Sequence, residues 1–366
     1  MRNINSIVPS GHCFNLGDGP FVIESSDLEK IIALGPVLGR FMNAMQAIVQ
    51  TVTNTNIKLT SPWKLVRDII SVELNAQHKK LLGVHPQRNS LLTRVDFMID
   101  EIGELKIAEI DPMNKHGLGF ALLCRNESDH GSRQRILSLF SELLSEYEAL
   151  IIILSRKDEF FEKEQCYFAE QLGGFSGKSV DILTELDQAG IIKSAQSTHS
   201  CFLDCPVLQD GSLNQRLLDV FVKTPKRFLM PPKHWMGNKA LMAFLHEPLL
   251  LEILHAFLSD MDISLLKQYI PPTFTTNPCS DGFVVKKVLS SGAKGVFFGE
   301  GAPKGNVVYQ KYVPQNKFIL EGRDQHIRLA AHFVGVQLGE LTVTSSADLP
   351  VHGNSQSVNY HVVLKS

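Results

Sequence analysis

RVDFMIDEIGELKIAEIDPMNKHGLG, residues 94–119, is the stretch on which the fold reading turns. Two runs of alternating character flank Ile102-Gly103, and the spacing predicts a β-hairpin. With Ile102-Gly103 as the turn, Asp96 lies opposite Glu109 and Arg94 opposite Asp111. All four then project from one face, while Val95, Phe97, Ile99, Ala108 and Ile110 suit a core on the other. A slip of one residue breaks this pairing. Like charges directly across a strand pair destabilise it. Two carboxylates about 4 Å apart repel by about 4 kcal/mol at an effective dielectric of about 20. Something must offset that cost. Arg94 can neutralise one charge. A divalent cation would do more, and oxygen-only donors suit Mg2+ or Mn2+. A hydrated, solvent-facing acidic hairpin is the plain alternative. The loop that follows, Pro112 to Gly119, is short of side chains and ends in Gly-x-Gly. It looks placed to let a ligand approach.

The surrounding chain is ordinary in bulk. It has 366 residues, 44% hydrophobic and 20% charged, a globular composition long enough for two or three structural units. A net charge of −2 leaves no basic excess to draw nucleic acid or an anionic membrane. No apolar run approaches the roughly 18 residues needed to span a bilayer. The opening MRNINSIVPSGHCFNLGDG lacks a signal-peptide apolar core. The expected location is cytoplasmic, with neither membrane nor nucleic acid as partner. Six cysteines at 13, 124, 166, 201, 205 and 279 are too scattered for a disulfide framework. Cys201-Phe-Leu-Asp-Cys205 lacks the second ligand pair that zinc would need.

Along the chain, residues 1–90 are expected to be mostly helical, from LEKIIALGPVLGRFMNAMQAIVQ and WKLVRDIISVEL. Residues 91–147 hold the hairpin and a helix that runs into the apolar strand Ala149–Leu154. Strand, helix, strand, helix over 148–230 predicts a small parallel α/β unit. KTPKRFLMPPK (223–233), with its prolines, marks a boundary. Residues 231–366 begin with the helical NKALMAFLHEPLLLEILHAFL and are strand-rich from Gly282 onward. The fold class is mixed α+β and α/β.

Three further stretches carry candidate chemistry. Gly282-Phe-Val-Val-Lys-Lys287 is a strand, and Lys286 shares a face with Val284. The small-residue loop Ser290, Ser291, Gly292 to Gly295 and a returning strand then make a flap whose amides could wrap phosphate. A plain β-turn reads the same way. Val307–Val313 is a strand whose end, Gln310, Lys311, Tyr312 and Val313, offers backbone groups to an adenine edge; an ordinary edge strand is the alternative. Glu321–Arg328 concentrates charge, and its arginines suit carboxylate or phosphate; a solvated charge cluster is the alternative. None of the 13 histidines shows ligand spacing.

Together these residues resemble the ATP-grasp ligases, in the circularly permuted order of the glutathionylspermidine-synthetase-like proteins. Asn238-Lys239 resembles the family's first ATP lysine at the head of a helix. Phe283-Val-Val-Lys286 resembles the second lysine ahead of the mobile loop, and Gln310–Val313 the hinge strand at adenine. Asp96, Glu109 and Asp111 resemble the metal-binding acids. Asp111 departs from the family's usual Asn, which adds a charge without removing an oxygen donor. The order of acids, Rossmann-like segment at 148–230 and lysines is the permuted one. Residues 1–80 match no part of that pattern.

The resemblance implies an ATP- and Mg2+-dependent ligase joining a small-molecule carboxylate to an amine through an acyl phosphate, on an amino acid or small peptide. Lys239 and Lys286 hold phosphates, the three acids hold the metal, and Arg328, with Arg323 behind it, orients the carboxylate. A homodimer is the expected assembly. Two other readings stand beside it: a nucleotide-binding regulatory protein of the same fold without turnover, and a Mg2+-dependent phosphate-ester hydrolase that keeps only the acids.

Overall fold

A computed structural model describes residues 7, 15–53, 60–82, 90–112, 116–123, 130–154, 161–184, 186–204, 213–279, 281–290, 295–299, 303, 305–351 and 357–365. The chain opens with two short strands, β1 (Asn15–Leu16) and β2 (Phe21–Ile23), which the sequence did not signal. Helix α1 (Ser25–Thr53) follows, then α2 (Ser61–Ile70) and α3 (Ala76–Leu82). In α1, Leu34, Leu38, Phe41, Met45, Ile48 and Val52 recur at three- and four-residue steps and are all buried. An 18-residue window of α1 is apolar enough to cross a membrane, against expectation, yet 61% of it is buried inside the protein. Gly35 and Gly39 cut a notch in this helix into which Val336 inserts; a Cβ at Gly35 would strike the Val336 carbonyl oxygen.

The hairpin forms as expected: β3 (Leu92–Ile99) pairs antiparallel with β4 (Leu105–Asp111). Asp96 faces Glu109, and Arg94 faces Asp111. Its turn differs from the expected one. Asp100 N–H donates to Glu104 O and Gly103 N–H to Asp100 O, both at 2.9 Å, so the turn is one residue longer. Gly103 has φ +86°, the left-handed region that glycine enters freely. A β-bulge at Ala108 then restores the register, because Phe97 pairs with Ile107 while Asp96 pairs with Glu109. Leu105 and Ile107 therefore face the core, at 1% and 0% exposure, while Glu109 and Asp111 face away from it.

The α/β unit is also as expected. After α4 (Leu118–Leu123) and α5 (His130–Leu143) come β5 (Ala149–Leu154), α6 (Glu162–Ser176), β6 (Ser179–Thr184), α7 (Gln188–Gln196), β7 (Ser200–Phe202) and α8 (Gln215–Lys223). The three strands are parallel in the order β6-β5-β7. β5 reads as an unbroken apolar run because both its faces are buried. Leu150, Ile152 and Leu154 meet α5 and α6; Ile151 and Ile153 meet α7 and α8.

Beyond the proline boundary the expected single helix is interrupted. Lys239–Leu245 is a 3-10 turn, and an α-helix begins only at α9 (Pro248–His255), where Pro248 sits in the first turn that tolerates it. Then come α10 (Asp260–Tyr269) and a four-stranded sheet of β8 (Thr273–Phe274), β9 (Phe283–Lys287), β10 (Val296–Phe298) and β11 (Val307–Lys311), ordered β10-β9-β11-β8. The chain ends with β12 (Phe318–Leu320), β13 (Arg323–Val334), β14 (Gln337–Ser346) and β15 (Val358–Leu364). These join the first strands in one large sheet, β1-β15-β14-β13-β3-β4, with β2 also on β15 and β12 folded onto β13.

One face of the large sheet packs Val95, Phe97, Leu329, Phe333 and Val343 against α1, α2, α9 and the 3-10 turn. On the other face, Leu92 and Val334 sit under α5 in a second core. Where that cover stops, the same face turns polar with Arg94, Asp96, Arg328 and Thr344.

Within the α/β unit, Arg227 is 7% exposed and caps the end of α7. Its guanidinium donates to Ser200 O at 2.7 Å and to the carbonyls of Ser194, Ala195 and Ser197. Arg227→Met leaves those carbonyls without donors and is expected to cost about 3 kcal/mol of stability. A denaturation midpoint within error of wild type would contradict this role.

Candidate active site

Three parts of the fold bring charge to one place. The β3–β4 hairpin supplies Arg94, Asp96, Glu109 and Asp111. β13 supplies Arg328 and His332. The 3-10 turn and the four-stranded sheet supply Lys239 and Lys286.

Asp96 is 4% exposed. Arg94 Nε lies 2.8 Å from its Oδ1 and Arg94 Nη2 donates to its Oδ2 at 3.1 Å. Arg328 Nη1 stands 3.7 Å from the same Oδ2, and Arg328 Nη2 donates to Thr344 Oγ1 at 3.2 Å. Thr344 Oγ1 in turn donates to Asn359 Oδ1 at 3.0 Å. Burial works against the Asp96 charge, but the two guanidiniums outweigh it and hold the carboxyl below its ordinary value. Burial likewise opposes the Arg94 charge; Asp96, Asp111 and Glu109 overcome that and raise its pKa. His332 lies on the same face beside Gly117. Burial, with Arg94 adding to it, lowers the His332 pKa to about 3, so the ring is neutral.

Lys239 and Glu109 form the second pair. Their Nζ and Oε1 lie 2.9 Å apart, and Lys239 Nζ also donates to Ser290 O at 2.6 Å. The turn is placed by Asn238, whose side chain accepts from Ala240 N and donates to Ile69 O, both at 2.8 Å. Lys286 completes the set. Its Nζ donates to Ala108 O at 2.8 Å, the carbonyl of the bulged residue, and to Gln310 Oε1 at 2.6 Å. Gln310 is held by Thr273 Oγ1 at 3.2 Å. It is 2% exposed, so its side chain braces Lys286 from within the sheet.

The acids are therefore offset by side chains of the protein: Asp96 by two arginines, Glu109 by Lys239. Arg94 neutralises Asp96 as expected; Arg328 and Lys239 add the further charge that was expected of a cation. Among the described residues, no three histidine, cysteine or acidic side chains gather as a preformed metal centre. Glu109 and Asp111 are hard oxygen donors on one strand face and suit a divalent cation. Asp96 Oδ2 accepts from Arg94 Nη2, and its Oδ1 lies in ion-pair contact with Arg94 Nε without a hydrogen bond. With a guanidinium against both oxygens, Asp96 suits a cation less well than Glu109 and Asp111 in this arrangement.

Other expected residues lie elsewhere. Arg323 is exposed opposite Leu320 at the far end of β13, about 17 Å along the strand from Arg328. Lys311 is exposed with its Nζ 5.2 Å from the Phe283 ring centroid. The Lys311 and Tyr312 amides donate to Pro272 O at 2.7 Å and Gly282 O at 2.8 Å. Those N–H groups are already engaged, and Val313 follows them, half-buried. Gly295 abuts Ser290, whose Oγ a Cβ at 295 would strike. Ser291 and Gly292 lie outside the described residues.

The Gly-x-Gly loop is occupied from within. Gly119 N–H donates to Glu164 Oε1 at 2.5 Å, and Gly117 N–H also donates to this carboxylate. Glu164 was not foreseen. Its signal was available: Glu164, Phe168 and Leu172 fall at four-residue steps on the buried stripe of α6, where an acid is out of place.

Burial lowers the Lys286 pKa to about 8, with Lys239 adding to the effect and Glu109 opposing it. Against an unfolded value of 10.5, the unfolded chain holds the extra proton between about pH 8 and 10.5. Stability is therefore expected to rise with pH across that window, and Lys286→Met to remove this rise. A denaturation series in which both proteins respond identically would contradict the assignment.

No family model matches the chain, and no curated protein does. Among solved structures, a glutathione synthetase-like effector from Globodera pallida, in its apo form, aligns with 99% of this chain and 93% of its own at 12% identity and a TM-score of 0.57. A protein assigned as a gamma-glutamylcysteine synthetase from Methylobacillus flagellatus aligns with 71% of this chain and 76% of its own at 9% identity; its TM-score of 0.33 carries no weight. The chain thus has a glutathione synthetase-like fold.

Proposed function

We propose that the protein is an ATP-dependent carboxylate–amine ligase that forms an amide bond, on an amino acid or small peptide, in a permuted ATP-grasp arrangement. The observation that carries this is the meeting of Lys239 and Lys286, from separate elements, with the acid face of the β3–β4 hairpin. The order of acids, α/β unit and lysines along the chain supports it, as does the likeness in fold to a protein described as glutathione synthetase-like.

On this reading the ATP phosphates take up Lys239 and Lys286, whose present partners are Glu109 and three neutral oxygens. Glu109 and Asp111 would hold Mg2+, which would supply positive charge against the phosphates. The substrate carboxylate attacks the γ-phosphorus, ADP leaves, and an amine displaces phosphate from the acyl phosphate. Arg328 and Arg94 sit where they can orient that carboxylate. The Ser290 carbonyl meets Lys239 Nζ, and on this reading water must be kept from the acyl phosphate, which it would hydrolyse.

A second reading has a specific observation in its favour. Asp96 is taken up by two arginines, and Asp111 stands where the resembled family has Asn. Both suit a nucleotide-binding regulatory protein without turnover.

The two are separated by measuring ADP release from ATP and Mg2+ with a pool of amino acids. Amino-acid-dependent release is expected, and Glu109→Gln is expected to lower it at least about 100-fold. Tight nucleotide binding without release selects the regulator. Release that is unchanged in Glu109→Gln removes the ligase reading.

A further inference from the structure

Glu164 heads α6 of the α/β unit and is fully buried, yet none of the chemistry above uses it. Its carboxylate accepts from Gly119 N–H, from Gly117 N–H and, at 2.8 Å, from Gln165 Nε2. The glycines are required by this contact. A Cβ at Gly119 would strike the Glu164 carbonyl oxygen, and Gly117 has φ +97° with His332 Cε1 3.2 Å from where a Cβ would stand. Beside them, His116 stacks on Phe161, the residue before α6, with centroids 3.9 Å apart and planes at 18°. Gly117 follows Asp111 by six positions; Pro112 is buried, and residues 113–115 lie outside the described residues. The carboxylate thus fixes one end of the segment whose other end carries Glu109 and Asp111.

We propose that Glu164 is a positioning residue for the metal-binding end of β4: by clamping Gly117 and Gly119 to the α/β unit, it sets the orientation of Asp111 and with it the Mg2+-dependent part of nucleotide binding. This rests on the nucleotide reading above. A ligand's outer partners tune metal affinity strongly even without touching the ion. The clamp does not reach Lys239 or Lys286, which are held by Ser290 O, Glu109, Ala108 O and Gln310.

The test uses the full chain and a non-hydrolysable ATP analogue, titrated with Mg2+ and again in chelator, with hydrogen exchange of the Gly117 and Gly119 amides read in parallel. Glu164→Ala is expected to reduce the affinity gained from Mg2+ by about tenfold or more. Affinity in chelator should stay within about twofold, and both amides should lose about tenfold in protection. Glu164→Gln, which keeps an acceptor oxygen, should restore both readouts to within about threefold of wild type. Should the alanine variant not fold, Glu164→Asp draws the carboxylate back by one methylene and is read in the same way. An unchanged Mg2+ gain, or an equal loss with and without Mg2+, overturns the positioning role. A wild type with protected glycine amides and no binding of the analogue overturns the nucleotide reading instead, and unprotected glycine amides in the wild type overturn the clamp itself.

Discussion

The ion pair between Arg94 and Asp96 is the contact on which the site depends. A carboxylate at 4% exposure keeps its charge only if opposite charge stands against it. Arg94 provides this from two residues away on the same strand, and Arg328 adds to it from β13. Removing one partner of such a pair leaves an uncompensated buried charge, a cost on the order of 3–5 kcal/mol. The pair also fixes register. Arg94 and Asp96 lie beside His332 and Ala330, so a slipped β3 would drive both charges into the face packed on α1.

Around that pair the molecule is assembled from distant pieces. The large sheet takes strands from both ends of the chain, and β13 joins the C-terminal strands to the β3–β4 hairpin. The α/β unit covers the apolar end of its second face and stops where the arginines begin. The four-stranded sheet reaches the same point through the Lys286 ammonium. No one unit carries a complete site. Each contributes one or two side chains, and the geometry depends on how the units pack.

Much of this was legible in the sequence. Alternation in residues 94–111 marked the hairpin, and the continuous apolar run Ala149–Leu154 marked a strand buried on both faces. The facing of Asp96 and Glu109 was foreseen through two departures that cancel: a turn one residue longer, and an extra residue at Ala108. What escaped notice was long-range. Gln310 was expected to meet a nucleotide through its backbone, but its side chain is turned onto Lys286, a partner 24 positions away. The glycine-spaced loop was expected to stand open, but a carboxylate 45 positions from Gly119 fills it. Such contacts follow from how strands pair and units pack, which no local pattern encodes. The interrupted helix at Lys239 was local, and Pro248 was its signal.

The bulge at Ala108 has a consequence for how this segment can change. Leu105, Ile107, Glu109 and Asp111 are all odd-numbered, and strict alternation would send them to one side. The surplus residue switches parity midway, so that a single strand is greasy on one side in its first half and acidic on the opposite side in its second. Side chains along it can be exchanged one at a time. Its length cannot: losing a single position between Leu105 and Glu109 would turn the carboxylates into the oily interior, or else drag the leucine and isoleucine out into water.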